Sequence, residues 1–332
     1  MAPVGSSEAS SGESNVTVLL ALAANIGVGL LKLAAGLISG SASLLSEAAH
    51  SAGDSTTEIF LLTGQKRSQK PADRSHPFGY GKERYFWSVV AAGAIFASGA
   101  AFSFYQGIST ILDGETSELL WINYPVLALC AVLEGTSLRQ AVKQMEGETR
   151  RLSTTLTQYL RTPRDPTVES VLLEDSAAIV GLVIAALGVG LHQVTGSPTY
   201  DGAASIAIGV LLLFVSGTLA RACKTLLIGQ QADPRLIRAV EAWLEQQPEV
   251  DDVVDLLTML TGVDSVLLCA RVDFADRESG SDLEEACVRL DLQMREKWPI
   301  LDEIFIQPAS RSDDAMRRRV EARYGRALAD EV

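Results

Sequence analysis

The sequence predicts a membrane protein in two parts: an all-α domain of six transmembrane helices, then a small α/β cytoplasmic domain of order αββαβ. Three observations carry this expectation. Residues 85–112 and 203–220 contain no Asp, Glu, Lys or Arg, and residues 16–38 contain only Lys32. Stretches of about 20 apolar residues match a hydrocarbon core about 30 Å thick. Basic residues gather in alternate connecting loops, as cytoplasmic loops do. Beyond Leu227 the long apolar runs give way to short segments with helical and strand periodicity. The bulk figures decide less: a hydrophobic fraction of 47% over 332 residues is within reach of a soluble protein.

Residues 1–14 (MAPVGSSEASSGES) are rich in Ser, Gly and Glu and carry no basic residue. They read as a disordered cytoplasmic tail, not as a secretory signal or an Arg-rich transit peptide. The six spans fall at about residues 16–38, 42–64, 85–111, 121–144, 171–193 and 201–226, within a membrane domain of residues 15–228. The loop after span two holds Lys66, Arg67, Lys70, Arg74, Lys82 and Arg84, and the loop after span four holds Arg150, Arg151, Arg161 and Arg164. The loop after span three has Asp113, Glu115 and Glu118 without a basic residue, and the loop after span five has no Lys or Arg. Both termini are therefore expected in the cytoplasm. The net charge of −13 lies mainly in the tail as a solvated surface, and nothing resembles a nucleic-acid-binding patch.

QQADP at Gln230–Pro234 marks the exit from the membrane. Residues 229–310 then read as one compact unit: a helix over Arg235–Gln247, strands over Val253–Leu260 and Ser265–Phe274, a helix over Asp282–Lys297 and a strand over Glu303–Gln307. Residues 311–332 form a charged C-terminal tail. The cysteines, Cys130, Cys223, Cys269 and Cys287, show no CxxC spacing and read as reduced thiols.

The segment Ser43–Gly64 raises the question of chemistry. It carries Glu47, His50, Asp54 and Glu58, which on a helix at about 100° per residue fall within roughly 80° of arc. A charge at mid-bilayer costs roughly 2.5–3.5 kcal/mol on insertion scales, so such groups persist where they face a cavity or a partner. Glu134 in span four and Glu174 and Asp175 in span five add further carboxylates, against Lys32 alone. His50 and Asp54, one turn apart, offer nitrogen and oxygen to a single ion. That donor pair suits Zn²⁺, with Mn²⁺, Fe²⁺ or Co²⁺ as alternatives. The competing reading is a set of buried polar residues that tie helices together. Protons and metal compete for the same lone pairs, which is the chemistry that exchange of one for the other requires.

The stretches SGSASLLSEAAHSAGD, KPADRSHPFGYGKERYFWS, RDPTVESVLLEDSAAIVG and TGSPTYDGAASIAIGVLLLFVSG resemble the cation diffusion facilitator family of divalent-metal/proton antiporters, and within it the zinc transporter 9-like branch. The resemblance covers nearly the whole chain. It implies six spans, cytoplasmic termini, a ferredoxin-like αββαβ tail and a homodimer formed through that tail. It also implies a transport site of two ligands from span two and two from span five. His50 and Asp54 match the first pair and Asp175 matches the second position of the other, but the remaining position is Val171. The resemblance leaves Glu134, Glu47 or water to complete the shell, with Glu47, Glu134 and the adjacent Glu174 as additional ligands or proton carriers; alternatively Glu134 pairs with Lys32. A second family site lies in the loop after span two. Asp73 and His76 match it, while Tyr80 stands where a further His is expected. The other reading is that Asp73 and His76 shape the loop. With His50, His76 and His192 as the only histidines, the tail is expected to be poor in metal, Asp273 and Asp276 being solvated.

The function so implied is export of a divalent metal, Zn²⁺ first, from the cytoplasm against inward proton flow by alternating access, with no prosthetic group. The alternatives are a Mn²⁺, Fe²⁺ or Co²⁺ exporter of the same family and a non-transporting membrane metal sensor or scaffold. Enzymatic chemistry is not expected, since no nucleophile–base motif is found. An Ala/Gly/Asp-rich composition suits a bacterial plasma membrane.

Overall fold

The computed structural model describes residues 8–114, 119–151, 166–275 and 279–310, and beyond them 313, 315, 318–320 and 322. The arginines at 161 and 164 and Asp276 lie outside the described residues. Backbone contacts divide the chain into two units, Met1–Lys66 with Arg84–Lys224, and Arg67–Glu83 with Thr225–Val332.

The first unit is built from long helices: α1 (Glu8–Ser39), α2 (Ala42–Ser68), α3 (Glu83–Asp113), α4 (Asn123–Arg151), α5 (Pro166–Thr195) and α6 (Thr199–Ile228). The α1 backbone begins inside the segment expected as a tail. Among the described residues, three helical segments are long and apolar enough to span a bilayer by length and composition, Glu83–Asp113, Ser170–Thr195 and Thr199–Ile228, with a shorter apolar stretch at Asn25–Ser39. The expected count of six is therefore met by composition in only three. α2 and α4 fall short because they carry ionisable groups, and those of α2 are turned largely inward: Glu47 and His50 are buried.

Side chains from all of these helices meet in one apolar core, among them Val28, Leu44, Ile95, Leu127, Leu182 and Leu212. Small residues let the helices approach closely. Where α3 crosses α6, a Cβ on Gly107 would lie 2.6 Å from the Gly202 carbonyl oxygen, and one on Gly202 would lie 2.8 Å from the Gly107 oxygen. Within α3, Ile95–Ala101 is a π-helical segment that periodicity did not foretell. Its Ser98 hydroxyl donates to the Ala94 carbonyl at 2.7 Å and stands 2.9 Å from where a Cβ on Gly53 would be. A Cβ there, beside Asp54, would require the Ser98 hydroxyl to shift. All four cysteines are free.

The second unit contains α7 (Pro234–Leu244), β1 (Val250–Leu260), β2 (Val266–Phe274), α8 (Gly280–Lys297) and β3 (Leu301–Pro308), the expected order. β2 is central, antiparallel to β1 and parallel to β3. The parallel step is possible because α8 supplies the crossover. Alternate residues of β2, from Val266 to Phe274, are buried, which is the period-2 pattern of a sheet with one covered face. Helix starts follow local chemistry. Asp233 caps α7 by accepting from the Arg235 amide, with Pro234 in the first turn, and Ser279 and Asp282 form a capping box on α8. Arg271 and Asp255, opposed in the β1–β2 register, pair at 2.6 Å. The loop of residues 67–83 belongs to this unit: a Cβ on Gly81 would lie 2.4 Å from the Thr261 carbonyl oxygen, and Lys82 Nζ reaches the Leu227 carbonyl at 3.5 Å.

Candidate metal site and its polar surroundings

α2 owes its position to the way its first turn is satisfied. Gly40 turns the chain with φ of 65°, a left-handed conformation that glycine adopts without strain. The first amides of a helix have no partner within it, and here every one finds one. Ala42 N donates to Asp201 Oδ2 at 2.5 Å and Ser43 N to Asp201 Oδ1 at 3.4 Å. Leu44 N donates to Ser41 Oγ at 3.3 Å and Leu45 N to the Ser41 carbonyl at 3.1 Å. The Ser41 hydroxyl donates to Asp201 at 3.0 Å, and the Ser43 hydroxyl makes a short bond to the same carboxylate. Asp201, buried in the first turn of α6, thus caps α2 from another helix, with its negative charge at the positive end of the α2 dipole. Further along, Ser46 Oγ and Ser205 Oγ are 2.6 Å apart, and Ser205 donates to the Ser103 carbonyl at 2.8 Å. Sequence reasoning passed over Asp201. The available signal was a carboxylate at the mouth of an apolar span facing the serines that open another.

The ionisable stripe of α2 begins one turn beyond. His50 Nδ1 lies 3.2 Å from Asp54 Oδ1, the expected i to i+4 pair. The two atoms are close, but their alignment is not that of a hydrogen bond. Both imidazole nitrogens of His50 and Oδ1 of Asp54 are buried without a hydrogen-bond partner. Buried polar atoms are normally satisfied, so such exceptions call for a cause. Lone pairs of nitrogen and oxygen left unspent one turn apart are what a borderline cation requires.

The other carboxylates are distributed differently. Glu47 Oε2 and Glu134 Oε1 both accept from Lys32 Nζ, at 3.0 Å and 2.5 Å. The two residues offered as completing ligands are thus engaged by an ammonium group, and the alternative pairing of Glu134 with Lys32 is the one present. Asp175 Oδ2 accepts from Ser137 Oγ at 2.9 Å. Glu174, the preceding residue and about 100° away round α5, is buried and accepts from Ser170 Oγ at 2.7 Å. Val171, one turn before Asp175, is 37% exposed. Glu58 accepts from Asn25. Among the described residues, no three His, Cys, Asp or Glu side chains stand close enough together to hold one metal ion. The structure therefore brings His50 and Asp54 together and leaves Asp175 on its own partner.

Of the second pair, Asp73 and His76, the carboxylate is spent within its loop. Asp73 Oδ1 accepts the amides of Ser75 and His76, each at 2.9 Å, and Oδ2 accepts the Tyr80 hydroxyl at 2.7 Å. The His76 ring stacks on Tyr80 with centroids 4.2 Å apart, and Lys70 Nζ lies 3.1 Å from the same hydroxyl. The Tyr80 hydroxyl, and after it the His76 amide, hold the Asp73 carboxyl down at about 2. Tyr80, where the family resemblance expects a histidine, completes a hydrogen-bonded turn around Asp73.

The helical domain can now be placed. The chain belongs to the cation efflux family: the family description "Cation efflux transmembrane domain" matches residues 18–228. Among its relatives, the mouse (Mus musculus) "Proton-coupled zinc antiporter SLC30A9, mitochondrial" is 35% identical over 246 residues, which are 74% of this chain and 43% of the relative. "Metal tolerance protein C4" of Arabidopsis thaliana is 29% identical over 323 residues, 96% of this chain and 69% of the relative. "Magnetosome protein MamB" of Magnetospira sp. is 29% identical over 188 residues, 57% of this chain. The chain thus spans under half the length of the animal relative.

Proposed function

We propose that this membrane protein moves a divalent transition metal, Zn²⁺ first among them, out of the cytoplasm in exchange for protons. The observation that carries the reading is the buried His50–Asp54 pair, 3.2 Å apart with both imidazole nitrogens unspent, inside a cation efflux domain. The animal relatives are named proton-coupled zinc antiporters, which supports the same substrate and counter-ion. His50 and Asp54 receive the ion as substrate from the cytoplasmic side. Asp175 leaves Ser137 and joins them from α5 as the third protein ligand, with water completing the shell in place of the side chain missing at Val171. Protons arriving from the other side compete for the imidazole and carboxylate lone pairs and release the ion. The exchange is alternating access, driven by differential binding of metal and protons to two states of the bundle. It needs neither a prosthetic group nor enzymatic chemistry.

In this reading α1–α6 are six spans, and both termini share the side of the basic loop around Lys66–Arg84. The tail, ferredoxin-like in its αββαβ order, joins two copies into a homodimer. Val288 and Leu292, one turn apart on α8, are each 62% exposed, and Phe305 on β3 is 51% exposed, so the tail carries apolar surface for a partner. The setting is an energised membrane. Composition favours a bacterial plasma membrane, whereas the animal relatives are named mitochondrial; both membranes hold a proton gradient.

Proteoliposomes loaded with a zinc-sensitive dye and given a pH gradient test the proposal. Asp54→Ala and Asp175→Ala are each expected to reduce flux by more than about hundredfold, beyond the loss typical of outer-shell changes. Unchanged flux in Asp54→Ala would overturn the transport site. Zinc binding without flux in the unmodified protein would make the chain a sensor or scaffold instead.

A further inference from the structure

Lys32 is fully buried, from α1, among groups of α2 and α4. An ammonium group has three N–H donors, and all are used: on Glu47 Oε2 at 3.0 Å, Ser51 Oγ at 3.1 Å and Glu134 Oε1 at 2.5 Å. The acceptors are not used up. Glu47 Oε1 and Glu134 Oε2 are buried with no hydrogen-bond partner. Glu47 Oε1 lies against α5, so near that a Cβ on Gly181 would be 2.1 Å away. Two carboxylates and a hydroxyl from two helices, with two oxygens still unspent, form the all-oxygen donor set that hard divalent cations prefer. The position such an ion would take holds an ammonium.

We propose that Lys32 is a specificity-determining residue for transport: it is a tethered cation that occupies the Glu47–Glu134 carboxylate pair and denies it to a divalent ion. The inference rests on the reading that His50 and Asp54 bind the transported metal. Glu47 and Ser51 flank His50 at i−3 and i+1 on α2, so the pair closed by Lys32 borders the nitrogen–oxygen pair that is left open. Without the ammonium, an ion at His50 would find two further carboxylates beside the imidazole. Hard oxygen-seeking ions such as Mn²⁺ and Ca²⁺ would then compete with Zn²⁺. With it, the imidazole is the distinguishing ligand and zinc-like ions are favoured. A lysine serves this role where a metal would not, because it cannot leave with the cargo. A purely structural ion pair would also join the helices, but it would not decide which ions bind.

The test is Mn²⁺ binding to the full chain in nanodiscs, followed by electron paramagnetic resonance, in a His50→Ala/Asp54→Ala background that removes the proposed transport pair. Lys32→Met is expected to gain about one Mn²⁺ per chain at an oxygen-only site, and adding Glu134→Gln to remove it. Lys32→Arg keeps the charge and is expected to gain none. In flux assays Lys32→Met should move the Zn²⁺ over Mn²⁺ preference toward Mn²⁺ by about tenfold or more. Because removing one member of a buried ion cluster leaves charge uncompensated, Lys32→Gln, which keeps hydrogen bonds to the cluster, carries the same expectation where Lys32→Met does not fold. A folded Lys32→Met or Lys32→Gln protein that gains no Mn²⁺ overturns the proposal. So does Mn²⁺ held by the background protein with Lys32 intact and lost on Glu47→Gln, a result that needs no Lys32 variant. Failure of the transport reading is separate: it shows as zinc flux that survives Asp54→Ala, whatever the Mn²⁺ count.

Discussion

The chain carries a histidine and an aspartate close together twice, and the two pairs have opposite fates. His50 and Asp54 sit one turn apart on a helix, with Nδ1 and Oδ1 3.2 Å from each other. His76 and Asp73 sit in a loop, with the corresponding atoms 3.7 Å apart and both side chains exposed. In the helix the backbone is satisfied by the helix itself, so it makes no demand on the side chains, and the lone pairs of His50 and of Asp54 Oδ1 remain unspent. In the loop, backbone amides have no regular partner, and Asp73 supplies one to Ser75 and His76 and another to the Tyr80 hydroxyl. A residue pair of the right type is a ligand candidate only where the surrounding structure leaves its electrons free.

The contrast can be broken most directly by metal binding. His50→Ala should weaken zinc affinity by more than about hundredfold, above the outer-shell range, while His76→Ala should change it by less than about threefold, within context-dependent scatter. Isothermal titration on the purified protein reads both. Equal losses in the two variants would end the distinction. Next in size is the support of the helical pair. Asp201→Ala leaves buried amides at the start of α2 without an acceptor, and should cost on the order of 3 kcal/mol, since a lost charged acceptor costs more than a neutral one. A thermal melt in detergent measures it, and Asp201→Asn should recover part of the loss. The smallest effect belongs to the loop. The Asp73 carboxyl is held down at about 2, below the unfolded value near 3.9, so its contribution to loop order is complete above that value. It is lost as the pH falls through about 2. Carbon-13 shifts of the Asp73 carboxyl should titrate at that low value, and Tyr80→Phe should move the midpoint upward. A midpoint near the ordinary value in the unmodified protein would show that the turn does not hold Asp73.

Much of this was legible without coordinates. Charge-free runs announced the apolar helices, periodicity and turn chemistry announced the αββαβ order, and the i to i+4 spacing announced that His50 and Asp54 would meet. The π-helical stretch at Ile95–Ala101 was not legible, because a one-residue change of helical register is set by what packs on either side. The span count was legible only in part: among the described residues three of the six expected spans are long and apolar enough to cross a bilayer, and α2, whose Glu47 and His50 are buried, is not one of them.

The sequence by itself determined which segments are helix or strand and which residue types are available to a cation, because local hydrogen bonding and hydropathy act over a few turns of chain. Only the tertiary structure decided which of those groups are free. Lys32 meets Glu134, 102 positions away, and Asp201 reaches back 159 positions to Ala42. Pairings over such separations follow from how helices pack, which no local pattern encodes.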